Sequence, residues 1–285
     1  MLLRLLLLSL RLLPFDLARA LGRGLGAVAY HLFPADRRNA LLHLERALPE
    51  LTARQRLEIT RRMFRSLGDG AAELALAHRR DRQLAEWILV PPEAEAVMRE
   101  ALAAGKGVVA VTGHVGNWEL LFRRFARGGY TAYAVGKEPG DPGLTAVVEQ
   151  LRGPGLTIWR GGEGAAKQLL RALRSNALLA LLIDQDTKVK GLFVPFFGEL
   201  AFTPRAAADL AVRTGAAAVA VFIHRRPDGG HSVCARRIFP EGNADREAEV
   251  LALTAAMTRA IEEEIRRVPH EWVWMHRRWK TRPPA

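Results

Sequence analysis

A histidine and a glutamate five positions apart, His114 and Glu119, carry the strongest local chemical signal in the chain, within Thr112-Gly113-His114-Val115-Gly116-Asn117-Trp118-Glu119. An imidazole with one ring nitrogen fixed by a carboxylate keeps the other free to take a proton from a hydroxyl. The pair brings no serine or cysteine nucleophile of its own, so it suits direct attack by a substrate hydroxyl on an activated acyl group. Gly113 and Gly116 allow a tight turn and a close approach of backbone to substrate. Asn117 is a natural N-cap, which places Glu119 in the first turn of a helix, where the dipole favours its ionised form. That turn is expected to bring the Glu119 carboxylate back toward the His114 ring. The plain alternative is a turn histidine followed by a surface glutamate.

Such a segment needs a scaffold, and the chain supplies alternating elements. Residues 107–112 are a short β-branched run typical of a buried strand, ending just before His114. Further strands are expected at 131–135, 156–159, 177–183 and 216–223, with an edge strand at 232–238. Helical stretches fall between them at 118–127, 143–151, 163–173 and 204–213, and a long one follows at 245–267. Earlier, Thr52 caps a helix over 52–77, and 93–104 reads as a short helix ending at Gly105. This alternation predicts an α/β fold, a mixed and mostly parallel sheet covered by helices. In such a sheet, ligands bind beyond the carboxyl ends of the strands, where His114 falls.

The first thirty-three residues read differently. Residues 1–13 contain nine leucines, but Arg4, Ser9 and Arg11 break the run, well short of the roughly 20 apolar residues a spanning helix needs. Arg4 and Arg11 share a helical face, as in an interfacial helix whose arginines reach lipid phosphates. Apolar and small residues continue to Phe33. Two rival readings stand beside this one: a signal peptide cleaved at Ala18-Arg19-Ala20, and a buried core hairpin. We expect 1–33 to be a membrane-anchoring helical segment and 34–285 the catalytic domain. The arginines of 37–65 favour keeping the body on the cytoplasmic side. The formal net charge of +12 over 285 residues calls for an acidic partner, and the single cysteine, Cys234, excludes a disulfide framework or a multi-thiolate metal cluster.

These residues extend into a wider resemblance. His114 to Glu119 is similar to the His-four-residues-acid signature of the glycerolipid and lysophospholipid acyltransferases. Asn39-Ala40-Leu41-Leu42, Leu48-Pro49-Glu50-Leu51, the Arg-Arg-Met-Phe stretch at 61–64, Asp184-Gln185-Asp186, 193–198 with Ala201 and Thr203, and Trp274-Met275-His276-Arg277-Arg278-Trp279-Lys280-Thr281-Arg282-Pro283 resemble, in order, the lauroyl/myristoyl acyltransferases of lipid A biosynthesis. That family also includes phosphatidylinositol mannoside acyltransferases.

The resemblance implies an inner-membrane enzyme facing the cytoplasm, moving a fatty acyl group from acyl carrier protein to a glycolipid hydroxyl. It implies no cofactor and no metal. His114 would be the base and Glu119 its orienting partner, with Gly116 and Asn117 beside the substrate. Lys137 stands where the family has an arginine, keeping the charge without the planar fork. Arg160 matches the next basic position and would hold phosphate or the thioester carbonyl, its alternative being a solvated loop arginine. Asp184 and Asp186 admit a Mg²⁺ reading, against one in which Asp184 shapes the site or holds a basic residue. The aromatic run 193–198 would line an acyl channel, dip into lipid, or pack on the core. Arg277, Arg278 and Lys280 beside Trp272, Trp274 and Trp279 resemble an interfacial anchor. The expected partners are acyl carrier protein, a phospholipid surface and a glycolipid acceptor, a lipid A precursor first, with mannosylated phosphatidylinositol or a lysolipid as alternatives. The contrasting class is a non-catalytic basic protein binding membrane or nucleic acid, although no zinc spacing or RNP-type motif is present and no specific nucleic acid is expected.

Overall fold

The computed structural model describes residues 12–284 apart from 163, 240, 241, 243 and 244. The leucine-rich stretch expected to form an interfacial helix therefore lies, up to residue 11, outside the described residues.

Three helices open the described chain: α1 (Phe15–Leu32), α2 (Pro34–Ala47) and α3 (Ala53–Leu76). Thr52 caps α3 through a capping box with Gln55, satisfying two otherwise orphaned backbone donors. α1 buries Ala18, Gly22, Gly26 and Tyr30, spaced four apart, against α3. The glycines set how near the two backbones come. A Cβ on Gly68 would meet the Gly22 carbonyl oxygen at 2.1 Å, and one on Gly26 would meet that of Phe64 at 2.2 Å. Small residues at such a crossing exchange side-chain volume for backbone contact. Gly68→Ala is expected to cost about 2 kcal/mol through this clash, despite alanine's better helix propensity. A urea unfolding midpoint equal to wild type would refute that expectation.

The opposite face of α1 exposes Leu17, Leu21, Leu25, Val28 and Leu32 in one stripe, followed by Phe33. Asp16, Arg19, Arg23 and His31 break up the apolar sequence of the helix, and no described helix is long and apolar enough to cross a membrane.

The body is a seven-stranded sheet of β1 (Ile88–Leu89), β2 (Val108–Thr112), β3 (Ala132–Lys137), β4 (Leu156–Arg160), β5 (Leu178–Leu182), β8 (Ala217–Arg225) and β9 (His231–Ile238). Across the sheet they run in the order β1-β9-β8-β2-β5-β3-β4. All neighbouring pairs are parallel except β8 with β9. The strand expected at the edge, β9, is covered by the two-residue β1, which is too short to leave a periodic signal. Helices α4 (Pro92–Ala103), α5 (Trp118–Arg127), α6 (Pro142–Arg152), α7 (Ala165–Arg174), α8 (Ala206–Thr214) and α9 (Arg246–Arg267) complete the layers. Alternate strand residues serve two cores: Val109 and Val111 join one, Val108 and Ala110 the other.

The aromatic run at 193–198 is a hairpin, β6 (Gly191–Phe196) with β7 (Glu199–Pro204). Phe196 and Phe197 are buried, and Phe196 lies 5.7 Å from Trp272 and 5.6 Å from Trp279. The segment expected to be an interfacial anchor is also interior: Trp272, Trp274, Trp279 and Arg278 are all buried. Their polar atoms explain why. The Arg278 guanidinium donates to the Phe202 carbonyl and the Thr203 hydroxyl, both at 2.5 Å, and the Trp274 indole donates to the Pro269 carbonyl at 2.6 Å. Tryptophan beside arginine suits a lipid interface, but it suits a core as well where most of its N–H groups find acceptors, as here all but Arg278 Nε and the Trp279 indole do. Only Arg277 and Lys280 of that basic group are exposed.

Candidate active site

β2 and β5 run parallel with Thr112 opposite Leu182, so the residues that follow them emerge side by side. Two residues past each strand end stand His114 and Asp184. Asp184, 2% exposed, is held by three contacts: the His114 ring Nδ1 meets Oδ1 at 2.8 Å, the His114 backbone N–H donates to Oδ2 at 2.7 Å, and the Trp272 indole donates to Oδ2 at 2.7 Å. Gly113 makes room, since a Cβ there would lie 3.0 Å from Asp184 Oδ2. Burial opposes ionisation of Asp184, but the attraction and hydrogen bonds of His114, with the Trp272 donor, outweigh it and hold the carboxyl at about 2. An ionised carboxylate on Nδ1 places the ring proton there and leaves Nε2 as the acceptor.

Glu119 does not occupy the orienting position expected for it. Asn117 caps α5 through Leu120 N–H, and the first turn carries the Glu119 carboxylate toward α6, where Arg152 grips it bidentately at 2.8 and 2.9 Å. Arg152 also donates to Thr157 Oγ1 at 3.2 Å and lies 5.6 Å from the Trp159 ring centroid. The spacing brings His114 and Glu119 to one cleft without joining them, because the carboxylate has a stronger, cationic partner there.

That cleft measures about 400 Å³ and is lined by His114, Trp118, Glu119, Lys137, Arg152 and Arg160, among others. The Trp118 ring packs edge-on to His114 at 4.8 Å. Lys137 and Arg160 are register partners at the ends of β3 and β4, so the two basic residues singled out from sequence meet at one rim. Gln185 is on the wall as well, while Asp186 turns away to accept from Thr281, at 2.6 Å from its N–H and 2.9 Å from its hydroxyl. Asn117 and Gly116 do not line the cleft. The Asn117 amide donates to the Gly70 carbonyl at 3.1 Å and to Glu73 at 3.3 Å. Gly116, at φ 62°, crosses so close to β8 that a Cβ would strike the Ile223 carbonyl oxygen at 2.0 Å.

Behind the cleft is a narrow apolar slot of about 40 Å³ between α5 and the sheet. Its floor is a row of alanines: Ala110 opposite Ala180 across β2 and β5, and Ala180 opposite Ala134 across β5 and β3. Its roof includes Leu121, Phe122 and Phe125, and it shares Trp118, Glu119 and Arg152 with the cleft.

Arg152 and Trp272 were not picked out from the sequence as site residues. Trp272 reaches the site because residues 271–273 lie along 114–116: Gly116 N–H donates to the Glu271 carbonyl at 3.0 Å, Val273 N–H to that of His114 at 3.3 Å, and Val115 bridges to Trp272.

Comparison with known proteins places the chain among acyltransferases. The lipid A biosynthesis lauroyltransferase of Escherichia coli is 30% identical over 287 residues, covering 95% of this chain and 88% of its own. The palmitoleoyltransferase of the same organism is 29% identical over 277 residues, covering 95% and 87%. The phosphatidylinositol mannoside acyltransferase of Mycolicibacterium smegmatis is 29% identical over 186 residues, covering 63% and 59%. Residues 1–281 match the family described as bacterial lipid A biosynthesis acyltransferase. An acyltransferase built on a mostly parallel sheet, with a histidine at its carboxyl edge, this chain belongs to the bacterial lipid A biosynthesis acyltransferase family.

Proposed function

We propose that the protein is a membrane-surface O-acyltransferase that moves a fatty acyl chain from acyl carrier protein to a hydroxyl of a lipid A precursor, with His114 as base. The observation that carries this reading is the His114–Asp184 contact at 2.8 Å, which leaves Nε2 available beside a cleft whose described lining contains no serine or cysteine. The acceptor hydroxyl gives its proton to Nε2 as its oxygen bonds to the thioester carbonyl carbon. The resulting oxyanion collapses, the C–S bond breaks, and the carrier thiolate takes the proton back from His114. The products are an ester and a free carrier thiol, with no acyl-enzyme between. Asp184 takes the orienting role. Glu119 anchors Arg152, whose charge, with Lys137 and Arg160, supports binding of an acidic donor and its developing negative charge. The alanine-floored slot would receive the far end of the acyl chain. Coverage favours a lipid A precursor over a mannosylated phosphatidylinositol as acceptor, since the lauroyltransferase aligns over far more of its length.

The test is acyl transfer from loaded acyl carrier protein to each acceptor in detergent, read by mass spectrometry. Gain of one acyl unit on the lipid A precursor, absent in His114→Ala, is the expected result. Transfer undiminished in that variant would remove His114 as base.

The leucine stripe of α1 supports seating on the inner membrane, with the catalytic body on the cytoplasmic side. Leu21→Glu with Leu25→Glu should weaken binding to anionic vesicles by about 3 kcal/mol, on the order of 100-fold. Because both side chains are exposed, the melting temperature should hold. Unchanged flotation with vesicles would rule the stripe out as the contact.

A further inference from the structure

A second cavity, of about 210 Å³, lies on the other side of Trp118 and shares only Trp118 and Glu119 with the cleft. Its provenance in the chain differs sharply. Six of its lining residues come from α3, whereas the cleft has none from α1, α2 or α3. α3 thus presents one face to this cavity and the face bearing Gly68 to α1, the helix with the exposed leucine stripe. Leu67, Ala71 and Leu74 give the cavity an apolar wall, and Arg225, His231 and His270 a polar end.

The polar end is built from more positive than negative charge. Arg19, Arg23 and Arg225 gather on the two carboxylates Asp69 and Glu73. Arg62 lies 3.0 Å from His270, and both carboxylates on the wall are already engaged, Glu271 by His224 at 2.7 Å and Glu119 by Arg152 at 2.8 Å. His231, 1% exposed, contacts Glu73 through Nε2 at 3.1 Å but leaves its buried Nδ1 without a partner. A buried ring nitrogen left open beside a cavity is a costly arrangement unless a ligand or water completes it.

We propose that this cavity seats an acyl chain of the lipid acceptor, with the acceptor's phosphate-bearing head at Arg225 and His270. The inference rests on the acyl-transfer reading for its assignment of donor and acceptor. A soluble carrier approaches through the cleft, away from the helices that face lipid. A lipid held in the bilayer approaches along α3. The two substrates then meet at His114 from either side of Trp118, and Trp118 keeps the two chains apart.

The test is equilibrium binding of a phosphorylated, acylated diglucosamine lipid in detergent micelles to the full chain and to two filled-cavity variants, Ala71→Trp at the exposed rim and Ser66→Phe deeper in. Thermal unfolding of each variant establishes that it is folded. Both variants are expected to bind the lipid about tenfold more weakly, the equivalent of about two methylene groups losing their burial. Wild-type affinity in either folded variant overturns the assignment. Wild-type protein assayed in parallel for acyl transfer separates the two readings. Weakened lipid binding in the variants without transfer by wild type keeps the seat and discards the acyltransferase chemistry. Transfer by wild type with undiminished binding by the variants discards the seat alone.

Discussion

Asp184→Asn is expected to lower the rate of acyl transfer about 10³-fold, whereas Glu119→Gln lowers it only about tenfold. The first substitution presents an amide N–H where two His114 donors and the Trp272 indole now meet a carboxylate. The imidazole then loses both its orientation and the charge that stabilises it when protonated. The second leaves the ring untouched and weakens a clamp on Arg152. Steady-state kinetics of both variants decide the matter, and a larger loss in Glu119→Gln would return the orienting role to Glu119. A pH titration of stability gives an independent reading. Because the Asp184 carboxyl is depressed from 3.8 to about 2, its contribution is complete above about pH 4 and is lost as pH falls toward 2. The stability difference between wild type and Asp184→Asn should therefore shrink across that window. A difference that stays constant from about pH 5 to about pH 2 would mean that the carboxylate is not held ionised by its neighbours.

Ala180→Leu is expected to change which acyl chain is transferred. Ala180 is the middle of the three in-register alanines, and three added carbons on the slot floor displace about three methylenes of a bound chain. At about 0.8 kcal/mol each, the preferred donor should lose on the order of 50-fold in kcat/KM, while donors shorter by two to four carbons keep their rate. Competition between acyl carrier proteins loaded with chains of different length, scored by product mass, measures this directly. An unaltered chain-length profile in an active Ala180→Leu enzyme would place the acyl end elsewhere.

Much of this scaffold was legible beforehand, and for identifiable reasons. The strands at 107–112 and 177–183 are short, apolar and bounded by turn residues, and two parallel strands of that kind put His114 and Asp184 at one edge. Asn117 announced its cap because the residue type has few other uses before a helix. The partner of His114 was not legible, since sequence spacing favours the nearer carboxylate and cannot show that Arg152, thirty-three residues away, engages Glu119 first. The interior fate of Trp272, Trp274, Trp279 and Arg278 was hidden for a related reason: the acceptors that satisfy Trp272, Trp274 and Arg278 come from Asp184, Pro269 and the 202–203 hairpin strand, each chosen by tertiary contact. The alanine row was invisible because three unremarkable alanines become a floor only once strand order is known.

The pairing of residues 271–273 with 114–116 has a consequence for how the protein comes into being. As a ribosome extends the chain, α1 and its leucine face emerge well before the sheet and can settle on a bilayer. His114 follows long before Trp272, 158 positions later, and until then neither Asp184's indole donor nor the backbone clasp on Gly116 is available. A nascent chain lodged at the membrane would therefore carry an unfinished base for most of its synthesis. The set of contacts around His114 is complete only when the closing stretch returns to lie beside a loop made long before it.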